Sequence, residues 1–235
     1  MGMDLFEAIQ KRRSIRQFKS EAVPDEWVKK ALEAAILAPN SSNVQTWDFH
    51  WFPPQSTLKQ KGFEICFSQA SARTASHLVA IVADPKLWKR SHGPLMNFIQ
   101  SIPAPKLVVA YYGKLIPTLY RWGFLNCFAP IKWLISTAIG FFRPISRGPH
   151  TLGELQLVSV KSAALAAENF VLAMTAQGAA TCMMEGFDEC RLKRLLKLSS
   201  SARVVMVIGV GFEAERGTWG PQFRIASDEV IHRWV

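Results

Sequence analysis

Apolar positions change period several times along this chain, and each change marks an element. Asp4-x-x-Glu7 reads as a capped helix start, with Leu5, Ala8 and Ile9 on the side that should be buried and an end near Arg13. Ser14 to Phe18 reads as extended. Pro24-Asp25-Glu26 opens a second helix, in which Val28, Leu32, Ala35 and Ile36 share one face before Pro39. Phe49 to Phe52 suits a strand, a polar helix is expected around Ser56 to Ala72, and His77 to Ala83 is an apolar strand. His50 and His77 border these strands and read as structural, not catalytic. From Leu152 to Gln177 the spacing is helical, with many alanines for close packing and Gly178 as a C-terminal cap. Ala180 to Met184 is a short strand, Asp188 caps a basic helix to about Lys197, and Arg203 to Gly211 is the clearest buried strand. The polar tail from Glu213 ends on Val230, Ile231, Trp234 and Val235, so it is expected to pack, on its own subunit or on a second one. No repeat or low-complexity linker divides the chain, and residues 1–235 read as a single domain.

Residues 106–147 depart from this pattern. Tyr111, Tyr112, Tyr120, Trp122, Phe124, Phe128, Trp133, Phe141 and Phe142 are interleaved with positive charges. Pro130 and Pro144 bracket a helix in which Lys132, Ser136, Gly140 and Arg143 form one narrow polar stripe and the rest is apolar. The uncharged runs, Trp122–Ile131 and Trp133–Phe142, are ten residues each, against about twenty needed to cross a bilayer. Three uses remain open: a buried helix pair, including one in a dimer interface; a lid over a site; or a basic amphipathic element lying in an anionic membrane interface.

Charge sharpens this picture. The formal net charge of the 235 residues is +10, and no acidic residue lies between Asp84 and Glu154. That stretch holds nine Lys and Arg, leaving only +1 for the rest of the chain. An anionic surface or ligand meeting the segment is therefore expected, not a protein coated with nucleic acid. The aromatics come in apolar runs and not as a polar stacking platform, which also argues against nucleic acid. Cys66, Cys127, Cys182 and Cys190 are scattered, with no nearby His at ligand spacing, and read as reduced core cysteines without a metal site. Asp4 and Glu7 stand where a secretory leader would be basic and apolar, so a cytoplasmic place is expected, with the inner face of the membrane as the alternative. Met1-Gly2 opens as a myristoylation motif does, but Phe6 stands where that motif wants Ser or Thr.

Two stretches carry candidate chemistry. Arg12, Arg13 and Arg16, with the Ser14 hydroxyl and local N–H groups, supply the charge-assisted donors that a phosphate needs. Arginines at a helix C-terminus are also favoured by the macrodipole and are ordinarily just solvated. The loop Asn40-Ser41-Ser42-Asn43-Val44-Gln45-Thr46-Trp47 offers neutral donors and acceptors, in Asn43 and Gln45, that suit a flat heterocycle, although such clusters are common loop chemistry too.

Arg-Arg-Ser-x-Arg-x-Phe followed by Ala38-Pro39-x-x-x-Asn43-x-Gln45-x-Trp47 resembles the opening of the nitroreductase-like FMN-dependent oxidoreductases. With Gly178 to Phe187 and Arg224 the resemblance covers the first and last thirds of the chain. It implies an α+β fold, a mainly antiparallel central sheet flanked by helices, here with an apolar-basic helical insertion at about 106–147. It also implies a homodimer with FMN at the subunit interface. Carried over by position, Arg12, Arg13, Ser14 and Arg16 would hold the FMN phosphate and ribityl chain, and Arg224 a further phosphate contact from a C-terminal strand. Asn40, Ser41, Asn43 and Gln45 would line the flavin from the other subunit. Met183, Met184, Glu185 and Gly186 match the segment whose backbone approaches the ring, with an N–H near N5, Gly186 allowing the close approach.

The chain departs from that pattern in places. Asn40 replaces a usual Ser or Thr, Thr46 a usual Pro, and Gln222 a second basic residue; Ser68, Gln69 and Arg73 are only candidates for the polar positions before the second strand. The implied activity is reduction of a small aromatic acceptor, nitroaromatic or quinone, by alternation with NADH or NADPH, and no indispensable side-chain acid or base is expected. The alternatives are a reductive dehalogenase-like enzyme and a peripheral membrane or anionic-ligand-binding flavoprotein with little turnover.

Overall fold

The computed structural model describes residues 3–234. The myristoylation reading at Met1-Gly2 and the apolar terminus at Val235 lie outside the described residues. The frame is a four-stranded antiparallel sheet of β1 (Trp47–Phe52), β2 (His77–Ala83), β3 (Ala180–Met184) and β4 (Arg203–Gly211), in the order β1-β2-β4-β3. All seven residues of β2 are buried, as expected of an inner strand whose faces are both covered.

On one face lie α1 (Leu5–Lys11), α2 (Asp25–Ala35) and the long α9 (Leu152–Ala176). Ala163, Ala166 and Ala167 of α9 and Ala31 and Ala35 of α2 are buried without remainder, so the two backbones approach closely beneath Val79, Ile81 and Ile208. Thr151 and Glu154 cap α9 reciprocally, and Gly178 turns the chain out of it at φ +87°. Among the described residues α9 alone is long and apolar enough to cross a membrane, but its apolar side is the packing surface of this core. The other face packs against α3 (Lys59–Ile65), α4 (Ala70–Arg73) and α10 (Glu189–Leu195), with Phe18, Leu78, Ala80, Val82 and Leu192 between. Helix α5 (Trp88–Ser101), α6 (Lys106–Ala110), a π-helical turn over Tyr111–Leu115, α7 (Ile116–Leu119) and α8 (Ala129–Gly140) make up the middle of the chain. Ile116 and Tyr120 anchor it on Trp88, Val44 and Leu155.

Several sequence expectations are corrected. Leu5 and Ile9 are exposed, and only Ala8 of α1 is buried. Ile36 lies beyond the end of α2 and is exposed too. The polar helix over 56–72 is two helices, because Phe67 and Ser68 take left-handed φ values of 58° and 49° between them. Cys66 and Cys182 are core residues, whereas Cys127 and Cys190 are exposed. The tail packs only loosely on its own protomer, with Trp234 95% exposed. Helix α8 is not buried in the protomer: its apolar side faces outward.

Candidate active site

Helix α1 ends at Arg12, and the chain then runs along the free edge of β3, where Ser14 forms a parallel bridge with Thr181. The Ile15 N–H donates to the Thr181 carbonyl at 2.9 Å and the Arg16 N–H to the Gly217 carbonyl at 2.7 Å. The start of the chain and its tail are thereby brought side by side. Arg12, Arg13, Ser14, Gln222 and Arg224 line one cavity of about 190 Å³. Arg13 Nη2 donates to the Gly220 carbonyl at 2.6 Å. Arg16 is turned aside, its guanidinium 3.6 Å from Cys182 Sγ and 5.8 Å from the Trp219 ring centroid. Burial pushes the Cys182 thiol up, and Arg16 partly offsets this. Arg224 belongs to an irregular stretch and not to a strand. Among the described residues none of Arg12, Arg13, Arg16 and Arg224 is paired with a carboxylate. Clustered guanidinium groups without a counter-charge, around a cavity of this size, suit a phosphate.

At the far end of β3, Met184 is buried, its sulfur accepting from the Ser71 hydroxyl at 3.2 Å, so only its backbone can face a ligand; Met183 is half-buried. Glu185 and Gly186 are exposed. Gln69 Nε2 donates to the Gly186 carbonyl at 2.9 Å, which places Gln69 beside this segment. The Gly186 N–H meets no acceptor among the described residues. A Cβ at Gly186 would touch nothing nearer than Gln69 Nε2 at 3.6 Å. The protomer itself therefore does not require glycine here; the open side is room for another molecule.

The loop before β1 is strained in the way binding loops are. Ser42, Asn43 and Gln45 all take φ near +50° without being glycine. Asn40 holds the loop, its Oδ1 accepting from the Gln45 N–H at 2.9 Å and its Nδ2 reaching the Asn43 Oδ1 at 3.4 Å, while the Ser41 N–H donates to Ser162 Oγ at 3.4 Å. Ser42 Oγ meets the Tyr111 hydroxyl at 2.5 Å, a contact with the middle segment that local sequence pattern could not reveal. Local pattern likewise does not link Thr181 to Ser14, or Cys182 and Trp219 to Arg16.

The two halves do not meet within one protomer. The loop leads into β1 and the arginines flank β3, at opposite edges of the sheet. Three strand spacings of about 4.8 Å separate them across the sheet. Trp47 also registers through Ala83 with Arg203, whereas Thr181 pairs with Val210 near the other end of β4.

His77 is structural. Trp51 Nε1 donates to its Nδ1 at 3.1 Å, so Nε2 carries the proton and donates to the Val23 carbonyl at 2.7 Å. Burial holds both His77 and His50 below the usual histidine range.

The family model described as "Nitroreductase family" matches residues 9–134 and 153–212. A Streptococcus pyogenes serotype M6 protein named as an NAD(P)H nitroreductase is 25% identical over 98% of this chain and 100% of its own. Bacillus subtilis YdfN, a nitroreductase by its description, superposes with a TM-score of 0.76 at 20% identity, covering 97% of this chain and 98% of that one. A nitroreductase by description from Exiguobacterium sibiricum, solved in complex with FMN, gives 0.71 at 19% identity over 98% and 97%. The chain belongs to the nitroreductase family.

Proposed function

We propose that this protein is an FMN-dependent oxidoreductase that uses NADH or NADPH to reduce small aromatic acceptors of the nitroaromatic or quinone type. The single observation that carries this reading is the convergence of Arg12, Arg13, Ser14 and Arg224 on one cationic cavity, without a carboxylate partner among the described residues, on the same β3 that leads to Gly186, whose N–H has no acceptor among them. The donor set fits FMN: guanidinium groups for the phosphate, the Ser14 hydroxyl beside them, and an open glycine backbone for the ring. The relative named as an NAD(P)H nitroreductase and the FMN-bound neighbour support it. The chemistry that FMN supplies when bound is two-electron transfer from the nicotinamide to the acceptor. What the chain does is bind, orient and exclude water.

The site is completed by a second copy, in a homodimer. Asn40, Ser41, Asn43 and Gln45 lie at the wrong sheet edge to reach the arginines of their own protomer. Leu5, Phe6 and Ile9 of α1 and Leu157 and Leu165 of α9 are exposed on two helices that touch each other, an apolar surface that a partner would cover. The test is anaerobic addition of NADH or NADPH to FMN-loaded protein, followed by a nitroaromatic or a quinone. Bleaching of the flavin band by the nicotinamide and its return on adding acceptor support the reading; a band that neither nicotinamide bleaches refutes it.

A further inference from the structure

Helix α8 is turned inside out. Lys132 and Ser136 of its polar stripe face the protein: Lys132 Nζ donates to the carbonyls of Leu119 and Arg121 at 2.8 and 2.5 Å, and Ser136 Oγ lies 3.0 Å from His150 Nε2. Arg147 reaches in to the Gly140 carbonyl at 3.3 Å. Ser136 is the buried residue of the helix, while Ile131, Trp133, Leu134 and Ile135 face outward. Phe141 and Phe142 at its end are 83% and 90% exposed. An apolar face of this size needs a cover.

The surrounding charge limits what that cover can be. No Asp or Glu lies between Asp84 and Glu154, and Arg121, Arg143 and Arg147 are exposed around the face. Beside it opens a cavity of about 500 Å³ lined by Lys86, Lys89 and Arg121 together with Trp88, Tyr120 and Trp122. Phe128 lines this cavity and leads directly into α8. Two copies joined face to face through α8 would bring two sets of the exposed Arg121, Arg143 and Arg147 together. An anionic bilayer suits both features, its acyl boundary taking the apolar side chains and its phosphates the rim and the cavity. The twelve residues of α8 span about 18 Å, so the helix lies in the interface plane and does not cross it.

We propose that α8 and the basic cavity beside it form a docking surface that lays this face of the protein on anionic phospholipid. The proposal does not rest on the flavin reading. It is tested with the full chain, by co-sedimentation with vesicles of phosphatidylglycerol mixed with phosphatidylcholine, and of phosphatidylcholine alone, with mass followed by light scattering. The protein should pellet with the anionic vesicles and not with the neutral ones, less so as salt rises. Phe141→Ser/Phe142→Ser, altering side chains outside the core, should weaken binding at least about tenfold, with melting temperature and mass unchanged. Arg121→Gln/Arg143→Gln should weaken it about thirtyfold. No pelleting with anionic vesicles at low salt overturns the proposal. So does a double phenylalanine variant that still binds, or one that splits a dimer when the parent binds neither vesicle, which assigns the face to a second copy.

Discussion

Ser14 and Thr181 are joined as a parallel bridge on the outer edge of β3, and this contact sets the Arg-Arg-Ser-x-Arg segment against the C-terminal tail. The cavity that results is cationic and has no carboxylate partner among the described residues. Arg13→Gln should therefore weaken FMN binding by roughly ten- to a hundredfold, the worth of one charge-assisted hydrogen bond. Titration calorimetry with FMN checks this, and circular dichroism should show the fold unchanged.

Sharing of the site between subunits has a direct genetic consequence. An Arg13→Gln/Arg224→Gln chain and an Asn43→Ala/Gln45→Ala chain should each bind FMN poorly alone. Mixed dimers of the two carry one site with both halves intact and one with neither, so co-expression should restore flavin to about half of the sites. Flavin content of the purified mixed dimer is the readout. If the two halves came from one chain, mixing would restore nothing.

The strands and the long helix are readable from sequence because their signals are local. Runs such as Leu78–Ala83 and Val204–Gly211 are apolar throughout, and Gly178 stops α9 by its own backbone freedom. The break at Phe67 and Ser68 has no such signal, since neither residue type announces a left-handed backbone. The periodicity of α1 finds a face but not its owner: Leu5 and Ile9 share a side that the described residues of their own protomer leave exposed. In α8 the stripe of Lys132, Ser136, Gly140 and Arg143 is legible, but the inward orientation of Lys132 and Ser136 is not, because an apolar surround ordinarily means the reverse; Arg143 lies past the helix end and is exposed. Arg12 and Arg224 meet across most of the chain, and only the family resemblance linked them.

The inverted α8 predicts an inverted mutational ranking. Lys132→Ala leaves the Leu119 and Arg121 carbonyls without their donor and should cost about 1–3 kcal/mol. Trp133→Ala, on the exposed side, should cost within about 0.5 kcal/mol. Urea denaturation of both variants measures the difference.

His77 makes stability pH-dependent with a definite sign. Its folded pKa lies below the ordinary 6.5, chiefly through burial, so the unfolded chain binds more protons in the window just under that value. Stability is then fully present above pH 6.5 and declines as the pH falls through and below it. His50 acts in the same direction. Thermal melts between neutral and mildly acidic pH should show the decline, and it should be shallower in His77→Gln, a variant less stable at neutral pH.

FMN binding is read directly from the visible absorption spectrum of the purified protein, with the supernatant after denaturation assayed for FMN. The purified protein should be yellow and release about one FMN per subunit. A colourless protein that gains no thermal stability from added FMN would contradict FMN binding.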